Sequence, residues 1–123
     1  MVAARWARDH GWHVEARRFR VGHRDIDLIV RRDCTVAFVE VKTRRASRFG
    51  GPLAAVGRAK RRHLSHAATI WMDRHGQPGL EYRFDVIGVL VDGHRVRVAW
   101  VENAFAAWAP TRRSSDSRSM ALA

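Results

Sequence analysis

Residues 25–43, DIDLIVRRDCTVAFVEVKT, limit the fold more than any other stretch of this chain. They read as two neighbouring β-strands. In the first, alternation sets Asp25, Asp27 and Ile29 on one side and Ile26, Leu28 and Val30 on the other. In the second, Val36, Phe38, Glu40 and Lys42 alternate with Ala37, Val39 and Val41. A strand that is largely apolar on both faces belongs in the middle of a sheet covered on each side. Charged groups are seldom fully buried unless paired or coordinated, yet Glu40 and Lys42 interrupt one such face. Something opposite must satisfy them.

The short connection Arg31-Arg32-Asp33-Cys34 predicts a hairpin, which lays the two strands antiparallel and brings Asp27 opposite Glu40. Two carboxylates at one point suit a hard divalent cation bound through oxygen. The neighbouring ammonium of Lys42 suits a site where a phosphodiester is hydrolysed. A cation there would polarise a phosphate oxygen and acidify a bound water, and Lys42 would orient that water or offset developing charge. The same residues also read as an acid–lysine ion pair closing the end of a sheet, because Glu-x-Lys is a common tripeptide. Spacing alone leaves both readings open.

An acid in one strand, followed by Glu-x-Lys in the next, is similar to the PD-(D/E)XK nuclease pattern. More narrowly, DIDLIV, FVEVKTR, a Lys-bearing helix, RFDVIGV and a closing ENAF resemble the YraN family. Those are small bacterial proteins related in fold to Holliday-junction resolvases and restriction endonucleases. The likeness runs over residues 3–105. It implies an α/β, restriction-endonuclease-like core in the order α-β-β-β-α-β-β, with a mixed central sheet flanked by helices. It further implies a Mg²⁺-dependent endonuclease acting on DNA, including branched or damaged DNA. One Mg²⁺ or Mn²⁺ would be held by Asp27, Glu40 and the Val41 carbonyl, with Lys42 as the catalytic cation and Asp25 as an acid behind them. Two departures stand out. The family reads Gly-Glu-Ile-Asp where this chain has Arg24-Asp25-Ile26-Asp27. Its Gly-Glu pair early in the first helix would fall before Met1, so either the start lies upstream or this acid is dispensed with.

The formal net charge of +11 points to a polyanion, and nucleic acid is the expected partner, DNA ahead of RNA. Only Lys42 and Lys60 among the 23 basic side chains are lysines. Lys offers a compact, rotatable ammonium with an adjustable pKa, which the guanidinium fork does not, so both mark positions that need one unless chance left them. Arg24, Arg44, Arg45, Arg48 and Lys60 are the expected phosphate contacts, three of them on the basic loop 44–52 that leaves the second strand. Two other readings compete: a nucleic-acid-binding module with this fold and no turnover, and a basic protein that meets an acidic partner. A homodimer is compatible with each.

At 123 residues the chain makes one domain, residues 1–109, followed by a basic disordered tail, 110–123. Cys34 is the only cysteine, no run of about 18 apolar residues occurs, and the N-terminus has no signal-peptide core. The expectation is a soluble cytoplasmic protein with no membrane partner. Residues 2–10 read as a helix with Ala3, Trp6 and Ala7 on one face and Gly11 closing it; residues 12–20 read as an edge strand. The main helix is predicted over 52–75, with an apolar stripe of Leu53, Val56, Leu64, Ala67, Ala68 and Trp71. Arg58, Arg62, Ser65 and Thr69 lie opposite. Lys60 falls inside the stripe, its stem along Val56 and Leu64, so that its head either reaches Asp27, Glu40 or a phosphate or snorkels to water. His63 and His66 read as surface side chains. A second hairpin, 82–91 and 94–101, turns at Asp92-Gly93, Asp85 pairs with an arginine, and Asn103 caps a short helix ending at Trp108.

Overall fold

A computed structural model describes residues 1–45 and 56–105. The elements are α1 (Val2–Asp9), β1 (His13–Val21), β2 (Arg24–Arg32), β3 (Thr35–Arg45), α2 (Arg58–His75), β4 (Glu81–Asp92) and β5 (Arg95–Phe105). They form one sheet in the order β1-β2-β3-β4-β5. Three neighbouring pairs are antiparallel, and β3–β4 is parallel, joined by the crossover that contains α2. This is the expected mixed α/β arrangement, with β3 in the middle and β1 at one edge.

Each face of the sheet has its own core, because β3 is apolar on both sides. On one face Val36 and Phe38 pack with Ile29, Phe84 and the α2 residues Leu64, Ala67, Ala68 and Trp71. Phe38 is the hub, with ring centroids 5.5 Å from Phe84, 5.7 Å from Trp71 and 5.9 Å from Tyr82. Burying a side chain of this size contributes roughly 1.5–3 kcal/mol. On the other face Ala37 and Val39 meet Ala3, Ala4 and Ala7 of α1, whose small side chains let the helix lie close. A Schellman closure ends α1: Trp12 N–H donates to the Ala7 carbonyl at 2.9 Å and Gly11 N–H to Arg8 at 3.1 Å, with Gly11 at φ 87. Trp6, expected on one face with Ala3 and Ala7, is only partly buried and stacks on His10 at 3.6 Å.

Several expectations are corrected. The main helix begins at Arg58, since Gly57 is extended and Val56 precedes it. Leu53 and Arg48 lie outside the described residues, as does the predicted tail. Ser65, expected on the solvated face, is buried. The β4–β5 turn falls on Gly93-His94, with Asp92 paired to Arg95 and Gly93 at φ 60. Asn103 caps no helix there: β5 continues to Phe105, and Asn103 takes a left-handed φ of 49 inside it. The clean alternation of β2 also fails. Ile26 joins Ile29 on the α2 face, while Leu28 and Val30 pack on the α1 face. Beside the break, Arg18 on β1 adopts φ 52, and no partner pair joins it to Asp27.

Candidate active site

The site grows from the place where β2 and β3 part. Their last paired residues are Leu28 and Val39. One step further the backbone ladder stops and a side chain replaces it: Val41 N–H donates to Asp27 Oδ2 at 2.8 Å. That bond fixes the Asp27 carboxylate and the peptide at Val41 together. Asp27 thereby comes within hydrogen-bonding reach of Glu40, as the hairpin register predicts. The α2 helix crosses the same face and delivers Lys60, whose Nζ lies 3.7 Å from Glu40 Oε2.

Glu40 is the unusual member. Its side chain is 12 % exposed, and its Oε1 is buried with no hydrogen-bond partner among the described residues. A carboxylate facing another carboxylate has only acceptors to offer, so a proton or a cation must lie between them. Burial first, and then the bond to Asp27 and its negative charge, push the Glu40 carboxyl up from 4.5 to about 7, while Lys60 and Lys42 pull it back. A pair poised in this way can exchange its proton for a metal ion near neutral pH. Among the described residues no three His, Cys, Asp or Glu side chains converge. The donors on hand are two carboxylates and nearby backbone oxygen, a set that suits Mg²⁺ or Mn²⁺ carrying its own waters better than a four-ligand zinc site.

The remaining predicted positions spread around this point. Lys42 is partly buried two residues beyond Glu40 and acts on it electrostatically. Asp25 pairs through its backbone with Arg20, and the broken alternation of β2 removes the regular spacing expected to set it beside Asp27. Arg24 is partly buried, and its Nε lacks an acceptor among the described residues. Arg44 turns back to the Thr43 carbonyl at 2.9 Å, and Arg45 is exposed at the end of β3.

The Uncharacterised protein family UPF0102 matches residues 1–89, which include every element from α1 through most of β4. The chain belongs to the UPF0102 family. A UPF0102 protein of Nocardia farcinica is 44% identical over 95 residues, covering 76% of this chain and 75% of the relative. One from Chloroherpeton thalassium is 37% identical over 91 residues, covering 74% and 70%. One from Syntrophomonas wolfei is 35% identical over 104 residues, covering 85% and 90%. The UPF0102 match spans Asp27, Glu40, Lys42 and Lys60 together. A second polar centre, which sequence reading placed only in part, joins β4 to β5. Asp85 is fully buried in β4, 3.1 Å from Arg83 Nε as an ion pair, and it accepts from Trp100 Nε1 at 2.6 Å and Asn103 N–H at 3.0 Å. Burial pushes its carboxyl up, and these three donors pull it back. It braces β5, through its bonds to Trp100 and Asn103. No helix among the described residues of this UPF0102 chain is long and apolar enough to cross a membrane.

Proposed function

We propose that this chain is a Mg²⁺- or Mn²⁺-dependent endonuclease that hydrolyses DNA phosphodiesters in the cytoplasm. The observation that carries the reading is the orphaned Glu40 Oε1, buried against a second carboxylate and beside an ammonium. Asp27 and Glu40 would hold one ion, with the Val41 carbonyl as the backbone ligand. When bound, such an ion supplies Lewis-acid polarisation of phosphate and an acidified water. Asp27 is kept in place by the Val41 N–H at its Oδ2. Lys60 offsets negative charge at Glu40 and bridges the helix to the pair. Lys42, two residues on, supplies the positive charge for a developing phosphorane. The +11 net charge supports a polyanionic substrate.

A second reading, a nucleic-acid-binding module without turnover, draws on the absence of a third converging carboxylate among the described residues. The deciding experiment is a Mg²⁺ and Mn²⁺ cleavage screen on linear, nicked, flapped and four-way DNA, with Lys42→Ala as control. Metal-dependent cleavage that disappears in the control supports the nuclease. Binding with no cleavage by the wild type on any substrate supports the binding module.

Lys60 has its own expected result. Lys60→Met keeps the stem that packs on the helix and removes the charge beside Glu40. Cleavage should fall by about 10-fold, as loss of a partly exposed ammonium beside the acid and the substrate phosphate would cost, with the melting temperature near wild type. Unchanged cleavage in Lys60→Met would reduce Lys60 to a surface lysine leaning on the acid.

A further inference from the structure

The start of α2 is electrostatically wrong for a helix on its own. Gly57 offers no side-chain cap, and the first turn holds no acidic residue. Arg58, Lys60, Arg61 and Arg62 crowd the end where the helix dipole favours anions. Lys60 pairs with Glu40, and Arg61 Nε donates to the Val56 carbonyl at 2.8 Å. One turn along, His63 meets His23 edge-on, with ring centroids 6.1 Å apart. That contact ties the β1–β2 turn to the helix and brings Arg24, the neighbour of His23, under it. The Arg24 Nε is buried and has no acceptor among the described residues. A buried donor left unpaired is costly, so this one invites an acceptor. Partial burial, then the positive charges of Arg24, His23, Lys60 and Arg62, push the His63 imidazole below its ordinary value. No carboxylate contributes to that shift.

Two imidazoles and a guanidinium with an orphaned donor thus gather at the first turns of α2, the same stretch from which Lys60 reaches Glu40. We propose that His23, Arg24 and His63 form a phosphate subsite, separate from Asp27 and Glu40, that grips a backbone phosphate of the bound strand. Its anion chemistry stands on these residues alone. Its role, presenting the neighbouring phosphodiester to Asp27 and Glu40, rests on the nuclease reading. The guanidinium supplies directed donors to phosphate oxygens, and each imidazole donates through a ring N–H. Placing two successive phosphates in fixed positions would set the register of the strand over the acids.

The test is run in EDTA, so that no metal chemistry enters. The His23 and His63 imidazole resonances are followed by NMR while inorganic phosphate, or a short single-stranded DNA oligonucleotide, is titrated in. Saturable shifts of both resonances with the oligonucleotide are expected. His63→Gln and Arg24→Gln should each weaken oligonucleotide binding by about 5- to 30-fold, as loss of one charge-assisted hydrogen bond does. In a separate calorimetric titration without chelator, Mn²⁺ binding at the carboxylate pair should be retained in both variants. DNA binding that leaves both imidazoles unmoved would overturn the subsite, as would wild-type DNA affinity in both variants. Shifts with inorganic phosphate but none with the oligonucleotide would make this a free-phosphate site and overturn the strand assignment. If both imidazoles respond to DNA but no metal supports cleavage, the subsite stands and the nuclease reading falls.

Discussion

Asp27→Asn is expected to abolish Mn²⁺ binding measured by calorimetry, and with it any metal-dependent cleavage, while the fold survives. The amide keeps an oxygen that can accept the Val41 N–H now held at 2.8 Å, so the junction between β2 and β3 keeps its anchor. What disappears is a negative charge on one of the two carboxylates that meet there among the described residues. Loss of an outer-shell partner costs roughly 10- to 100-fold in metal affinity, and loss of a ligand should cost more. A variant that binds Mn²⁺ like the wild type would remove Asp27 from the metal site altogether.

The same pair dictates how the site responds to pH. The Glu40 carboxyl is raised to about 7, with burial the main cause and Asp27 the next. A carboxyl raised on folding contributes stability below its unfolded value, and that contribution is lost as pH climbs through about 7. Metal binding runs the other way, because the ion needs the carboxylate. Mn²⁺ affinity should therefore rise by about tenfold per pH unit as Glu40 loses its proton, and level off above pH ~7. In Asp27→Asn the shift of Glu40 should shrink, since the shared proton and the neighbouring charge are gone while burial remains.

The acid pair was legible in the sequence because a hairpin turns register into arithmetic. Once Arg31 to Cys34 is a tight connection, Asp27 must come opposite Glu40, and observed pairing leads to that point one step after Leu28 and Val39. Lys60 was legible for a different reason: a charge inside an apolar stripe has to reach something, and here it reaches Glu40. What stayed hidden depends on departures from regular geometry. The left-handed Arg18 and the break in β2 beside Asp27 move Ile26 across the sheet, and no side-chain pattern announces that. The meeting of His23 and His63 joins residues forty positions apart through a helix whose start was misplaced. Asn103 looked like a cap because Asn favours both caps and left-handed positions, and the second preference won.

That left-handed Asn103 leads to the largest expected loss of stability, in Asp85→Ala. Between the pairs Phe84–Phe105 and Val86–Val101 the register slips, so β5 carries extra residues opposite Asp85. The buried carboxylate fills the gap in the ladder, taking the Asn103 N–H, the Trp100 indole N–H and the Arg83 guanidinium. Alanine strands all three donors at once. Arg83 keeps Glu102 at 3.3 Å, whose side chain is 60% exposed, and the Trp12 ring at 5.3 Å, and such contacts contribute little. Breaking a buried ion pair by removing one partner costs about 3–5 kcal/mol, and for a domain of this size that lowers the melting temperature by roughly 10 °C or more. Asp85→Asn, which retains one acceptor oxygen, should fall between the two. Because this centre braces β5 and not the β2–β3 junction, Mn²⁺ affinity measured well below the transition should match the wild type in both variants. A melting temperature for Asp85→Ala within a degree or two of wild type would mean that β5 holds its bulge without the carboxylate. A lost Mn²⁺ site in a folded Asp85→Asn variant would instead tie Asp85 to the chemistry.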